Sequence, residues 1–309
     1  MHSRRCPLLR TVELKVTDRC NQRCGHCVND DPAAGGRDLD WRPFARRLRE
    51  WTAGRGADLH GLREVRMTGG EPLLVPETVL SVARACAALG IASGINTNGV
   101  LLDARTASVL REAGLATVKI SCDAPDDEAL QSMRGPCANV DDVLMAIECA
   151  VAAGFHTVVR FTLCRRNLAS LVPCYRLARE MGAHKFQVKP LIPAGRAALS
   201  DAILEPAEVE RALECLAADA GGTAAHPEIL CWPHARAAGL SAKACGSLEK
   251  LYVGTDGAVS ICNFVPGAIP FGNALREPFD DVLARRNPSV MELPGGDLRL
   301  AGCPQACGD

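Results

Sequence analysis

The chain has 309 residues, 48% of them hydrophobic, and a formal net charge of −1 at neutral pH. That is enough apolar material for one barrel-sized domain with a small appendage, while the charge balance argues against a general nucleic-acid surface, which needs clustered basic groups. No run approaches the ~18–20 apolar residues of a membrane span, and the apolar stretch Cys6-Pro7-Leu8-Leu9 is too short for a secretory signal. A cytoplasmic protein with no membrane or nucleic-acid partner is expected. Sixteen cysteines in a reducing compartment point to metal centres before disulfides.

Leu8 to Val16 alternates loosely and reads as the first strand. A polar, Gly-containing loop from Asn29 to Asp40 precedes a helix over about Arg42 to Trp51. Leu62 to Met67 is the second strand, followed by a helix from about Pro76, suited to a first helical turn, to Leu89. Ile91 to Thr97 and Leu115 to Ser121 are the third and fourth strands, with a helix over Asp103 to Ala113 between them. Helical segments follow at about Asp126–Met133 and Val140–Ala153. His156 to Leu163 and Lys185 to Leu191 are strands five and six, each followed by a helix, about Leu168 to Met181 and Pro206 to Ala218. Six strand–helix units in sequence argue for a parallel α/β architecture with its site at the strand C-termini. Periodicity alone does not choose between a doubly wound sheet and a barrel.

Directly after the first strand come Cys20, Cys24 and Cys27, spaced C-x3-C-x2-C. Three thiolates this close can hold three irons of a [4Fe–4S] cube, leaving the fourth open to another ligand. A structural zinc knot is the competing reading, though His26 sits awkwardly between Cys24 and Cys27 to complete it. The second strand ends in Met67-Thr68-Gly69-Gly70-Glu71-Pro72-Leu73, where two glycines let a ligand approach the backbone closely. By alternation Ser121 and Asp123 share one strand face, as do Arg160, Thr162 and Cys164. An arginine in the apolar run Val158-Val159-Arg160-Phe161 is costly unless it meets a partner or a ligand.

The cysteine spacing with a Gly-Gly-Glu-Pro run downstream resembles the radical S-adenosylmethionine (SAM) superfamily. That resemblance implies a partial (β/α)6 TIM barrel, a [4Fe–4S] cluster on Cys20, Cys24 and Cys27, and SAM on the open iron. It further implies cofactor contacts from His26, Gly69, Gly70, Glu71, Asn98, Ser121, Asp123 and Arg160, with Arg160 gripping the SAM carboxylate. An electron donor such as flavodoxin or ferredoxin is implied as a partner.

Beyond Ala220-Gly221-Gly222 the pattern changes. Leu251 to Gly254 and Ala258 to Ile261 flank Thr255-Asp256-Gly257, a hairpin with an Asp-Gly turn. With Cys245, Cys262, Cys303 and Cys307 this resembles the Twitch and SPASM extensions, which carry auxiliary iron–sulfur clusters; four cysteines around a hairpin also suit zinc. The expected organisation is a barrel over 1–220 and a small cluster-binding hairpin/helix domain over 221–309. Compact enzymes of this kind resemble two groups: those that oxidise or epimerise carbinol carbons of aminocyclitols and aminoglycosides, and those that modify ribosomal peptide precursors. The early start of the first strand favours a small carbohydrate substrate over a precursor peptide. Epimerisation needs a hydrogen-atom donor, for which Cys231 or Cys164 is the candidate; oxidation needs an electron acceptor, which an auxiliary cluster would supply. An iron–sulfur maturation or binding protein without radical chemistry is the remaining class.

Overall fold

The computed structural model describes residues 9–28, 36–53, 62–197, 201–221, 227–230, 240–243, 249–262, 270–285, 290–292 and 298–300. Its centre is a run of parallel strands: β1 (Thr11–Thr17), β2 (Glu64–Gly69), β3 (Ala92–Thr97), β4 (Thr117–Ser121), β5 (His156–Leu163) and β6 (Lys185–Pro190). They pair in sequence order, as expected of successive crossovers. Two short strands unforeseen in the sequence, β7 (Pro227–Leu230) and β8 (Ser241–Lys243), continue the sheet in parallel beyond β6. At the other edge β9 (Lys250–Val253) lies parallel to β1, and β10 (Ala258–Ser260) and β11 (Gly272–Asn273) follow antiparallel. The expected hairpin is β9–β10, its turn completed by Gly257 at φ +83°. The sheet therefore runs across the boundary expected at residue 220.

One face of every strand carries the core. Val12, Leu14 and Val16 of β1, Val65 and Met67 of β2, and Val118 and Ile120 of β4 are buried, each side chain contributing about 1.5–3 kcal/mol by leaving water. Covering them are α1 (Trp41–Thr52), α2 (Pro76–Ala88), α3 (Ala104–Glu112), α4 (Asp127–Arg134), α5 (Val140–Ala152), α6 (Leu171–Glu180) and α7 (Pro206–Ala220). Local chemistry sets their starts: Asp40, Asp103 and Asp126 accept N-cap hydrogen bonds from Arg42, Thr106 and Ala129. The short α8 (Phe279–Ala284) closes onto α1, with Phe279 edge-on to Phe44 at 6.0 Å and Asp280 accepting from Trp51 Nε1. No helix among the described residues is long and apolar enough to cross a membrane.

The opposite face is polar. Alternation and register bring Glu13, Arg66, Asn96, Lys119, Ser121 and Arg160 to it. Arg160 on β5 acts electrostatically on Glu13 of β1, and holding Glu13 down at about 2 also involves Lys250 and Arg66 against the effect of burial. In a flat sheet those strands would stand about 19 Å apart. The sheet therefore curls toward this face, an open partial barrel with a charged interior.

Candidate active site

The cysteine loop leaves the C-terminal end of β1 and is held from four directions. The Gly25 N–H donates to the Met133 carbonyl at the end of α4, 3.0 Å. The Arg196 N–H donates to the Cys27 carbonyl and its Nε to the Cys24 carbonyl, both 3.0 Å. Asn98 Nδ2 donates to Asn21 Oδ1, 2.7 Å. At Gly195, where φ is +59°, a Cβ would fall 2.2 Å from the Val28 carbonyl oxygen, so only glycine lets the loop after β6 close onto the cysteines.

The Gly-Gly-Glu run grips this loop from behind. Gly70 and Glu71 donate their N–H groups to the carbonyls of Thr17 and Arg19, each 2.8 Å. A Cβ on Gly69 would lie 2.4 Å from the Thr17 oxygen, and one on Gly70 1.9 Å from the Arg19 oxygen. The close approach that these glycines permit is made to the end of β1, one residue before Cys20. Gly70→Ala must push that carbonyl aside, at a cost of about 1–3 kcal/mol. The variant is expected to keep its far-UV circular dichroism and lose most of the iron it takes up on reconstitution; an unchanged iron count would show that the loop yields.

Two expected cofactor contacts turn inward instead. Glu71 is 1% exposed, and its carboxylate accepts from Leu73 N (3.0 Å), Thr97 Oγ1 (2.8 Å) and Asn98 N (2.8 Å). Burial pushes its pKa up, with those three donors opposing. It splints β2 to β3 and positions Asn98. Asp123 is also 1% exposed; its Oδ2 receives Arg134 Nε and Nη2 at 2.9 and 2.6 Å, and its Oδ1 the Thr162 N–H at 2.8 Å. Burial alone would raise the Asp123 pKa, but Arg134, His26 and Thr162 together hold it below the usual carboxylate range. Ser121 and Arg160 stand side by side in register on the polar face, and Arg160 acts on Glu13 and Lys119.

Around the three thiols the charges are arranged for a cationic guest. Burial pushes the pKa of Cys20 up and that of Cys24 to about 12. A thiol so placed ionises at neutral pH only with a cation against it. Three N–H or ring nitrogen positions near the loop are buried without a hydrogen-bond partner: His26 Nδ1, Arg134 Nη1 and Arg196 Nη2. His26 Nε2 stands 3.6 Å from Asp123 Oδ2, and burial lowers its pKa. Arg134 and Arg196, which act electrostatically on Cys24 and Cys20 respectively, went unnoticed in the sequence; their only signal was an arginine at the end of a helix and another in a Pro-Ala-Gly-Arg loop. Among the described residues no three His, Cys, Asp or Glu side chains gather around a point fit for one metal ion. The donor set fits thiolates spread over several irons better than a single zinc.

The remaining candidates separate. Cys164 is fully buried in a small apolar cluster with Leu191, Ala197 and Ala202, its Sγ 3.4 Å from Met133 Sδ. It presents no thiol to the polar face, which corrects the expectation that it could serve a substrate radical. Cys262 is half-buried beyond β10. Cys231, Cys245, Cys303 and Cys307 lie outside the described residues.

A thiol-rich loop at the C-terminal mouth of a curled parallel sheet, with buried thiols that require a cation, defines an α/β cluster-binding enzyme. The sequence matches the Radical SAM superfamily over residues 14–173, and the chain belongs to that superfamily. It is similar to the GTP 3′,8-cyclase of Xanthomonas campestris pv. campestris, 39% identical over 150 residues, covering 48% of this chain and 43% of the relative. The chain thus spans less than half the length of that protein. Similarity to the GTP 3′,8-cyclase of Corynebacterium glutamicum (strain R) is broader, 30% over 307 residues, covering 90% of this chain and 79% of the relative. Among solved structures, Streptococcus suis SuiB bound to precursor peptide SuiA superposes with a TM-score of 0.71 at 15% identity, over 89% of this chain and 64% of that one. The fold is shared at that identity. Superfamily membership implies SAM and one [4Fe–4S] cluster. The expected resemblance to aminocyclitol enzymes finds no support in these similarities.

Proposed function

We propose that Cys20, Cys24 and Cys27 carry the [4Fe–4S] cluster, that SAM completes it, and that the chain removes a hydrogen atom from a carbinol C–H of a hydroxylated small molecule seated on the polar face of the sheet. When bound and reduced, the pair supplies a 5′-deoxyadenosyl radical. The chain's own residues orient the two partners: Asn98 and Arg196 set the loop, Glu71 sets Asn98, and the Asp123–Arg134 pair backs His26. The observation that carries the substrate reading is Asn96, whose buried Oδ1 has no hydrogen-bond partner. It stands on the polar face in register with Lys119, and a substrate hydroxyl would satisfy it. A face lined by Asn96, Ser121 and Thr162 suits a polyhydroxylated molecule better than an apolar side chain.

Cys245, Cys262, Cys303 and Cys307 are proposed to bind an auxiliary cluster, which would accept an electron in an oxidation. Cys231 is the proposed hydrogen donor for epimerisation. The test is anaerobic reconstitution with dithionite and SAM. We expect 5′-deoxyadenosine, formed slowly without substrate, and about eight irons per chain. No 5′-deoxyadenosine would overturn the radical reading, and about four irons would remove the auxiliary cluster. With a hydroxylated substrate in deuterated water, solvent deuterium at the altered carbon supports a thiol donor, and a ketone product supports oxidation. A precursor peptide outcompeting every small molecule for turnover would replace the carbinol reading with the peptide one.

A further inference from the structure

We propose that the interior of the curled sheet binds a phosphoryl group, so that the substrate is a phosphorylated, hydroxylated small molecule; this rests on the reading above and names its substrate class. The carboxylates of the polar face each have a cation already. Lys250 Nζ stands 3.2 Å from Glu13 Oε2, Arg66 Nε 3.2 Å from Glu64 Oε1, and Lys185 Nζ 3.5 Å from Glu228 Oε1. Just past the strand ends, Asp18 has Lys15 at 2.6 Å and Asp123 has Arg134 at 2.6 Å. Lys119, Arg160 and Lys189 add three further positive charges to this face, and no other carboxylate on it matches them among the described strands.

Register places these three at successive levels. Asn96 pairs with Lys119, Ser121 with Arg160, and Thr162 with Lys189. The column rises about 13 Å along the strands toward the mouth. A phosphoryl group lodged against Lys119 and Arg160 would leave the hydroxylated part of the molecule near Asn96 and Ser121, with its far end toward the cysteine loop.

The state of Lys119 agrees with this. Burial, then Arg66 and Arg160, press its pKa down to about 7 against the attraction of Glu64 and Glu228, and its Nζ has the neutral Gln187 Oε1 at 3.4 Å. Positive potential outweighs negative there, so an arriving anion is drawn in and Lys119 takes up a proton to meet it. Three surplus charges suit a phosphoryl group, which carries up to two negative charges, better than a monocarboxylate.

The experiment is calorimetric titration of the reconstituted holoenzyme, in the presence of SAM, with pyrophosphate, and in a parallel arm with malonate. Saturable pyrophosphate binding is expected, at least tenfold weaker in Lys119→Gln and in Lys189→Gln, with malonate binding more weakly than pyrophosphate. With sulfate as a probe whose own charge is constant, affinity should fall as the pH rises from 6 to 9, and Lys119→Gln should flatten that profile. No saturable pyrophosphate binding, or binding unchanged in both variants, overturns the proposal; malonate binding as tight as pyrophosphate overturns its phosphoryl part. The unsubstituted holoenzyme's 5′-deoxyadenosine formation, measured in the same preparation, separates the two levels. If it persists without anion binding, only the phosphoryl site falls; if it is absent, the radical reading falls first.

Discussion

Arg134→Met is expected to destabilise the protein by roughly 3–5 kcal/mol, because it leaves the buried Asp123 carboxylate without its counter-charge. Asp123 and Arg134 are each about 1% exposed at the side chain, and two guanidinium nitrogens reach one carboxylate oxygen. Water cannot take the place of the missing partner. The effect carries a pH signature. In the native chain the Asp123 pKa is depressed, so its contribution is fully present above the unfolded carboxylate pKa and is lost as pH falls through the lower folded value. In the variant the carboxyl is desolvated and its pKa rises, so protonation relieves the strain. The deficit between the two proteins should therefore narrow as the pH drops from 7 toward 5. Urea unfolding at several pH values reads this directly, and a deficit independent of pH would show that lost packing, not the stranded charge, causes the damage. Replacing both residues together should cost less than the sum of the single changes if the pair acts as a unit.

The other large effect is at the cysteines. Cys20→Ala, Cys24→Ala and Cys27→Ala should each abolish 5′-deoxyadenosine formation and remove about four irons per chain. Cys164→Ala should retain both, since that thiol packs in an apolar cluster away from the polar face. Iron retention in a Cys24→Ala variant would reassign the cluster. Loss of the iron on changing Cys164 would contradict the separation that the structure draws between them. Cys24 is the most telling of the three: burial pushes its pKa to about 12 with Arg134 the main opposing influence, so an iron is what keeps it ionised.

Much of this was readable in the chain itself. Alternation in Thr11–Thr17, Glu64–Gly69 and His156–Leu163 reports a sheet with one apolar face, and cysteine spacing reports the loop that follows. What alternation reports is a face, however, not who occupies it. Asp123 and Glu71 were rightly placed at strand ends, yet both spend their oxygens on neighbouring protein groups. The partner that decides this for Asp123, Arg134, sits on α4, where an arginine in a helix's last turn is an ordinary surface residue by pattern. Arg196 reaches the cysteine loop across 172 positions of sequence, a distance over which no local signal survives. β7 and β8, of four and three residues, are too short for periodicity to register. The excess of cations inside the sheet emerges only once register places Lys119, Arg160 and Lys189 on successive levels.

The parallel pairing of β1 with β9 has a consequence for how the molecule is made. Thr11 lies opposite Lys250 and Leu14 opposite Val253, so the strand that delivers the first cysteine is completed by one synthesised almost 240 residues later. At ribosomal speeds that wait is about 12–48 s, during which β1 offers an open row of backbone donors and acceptors to any other extended chain. A nascent or truncated protein ending before Lys250 keeps that edge exposed indefinitely. Aggregation of such fragments, and slow maturation of the whole chain, follow from where one strand was placed in the gene.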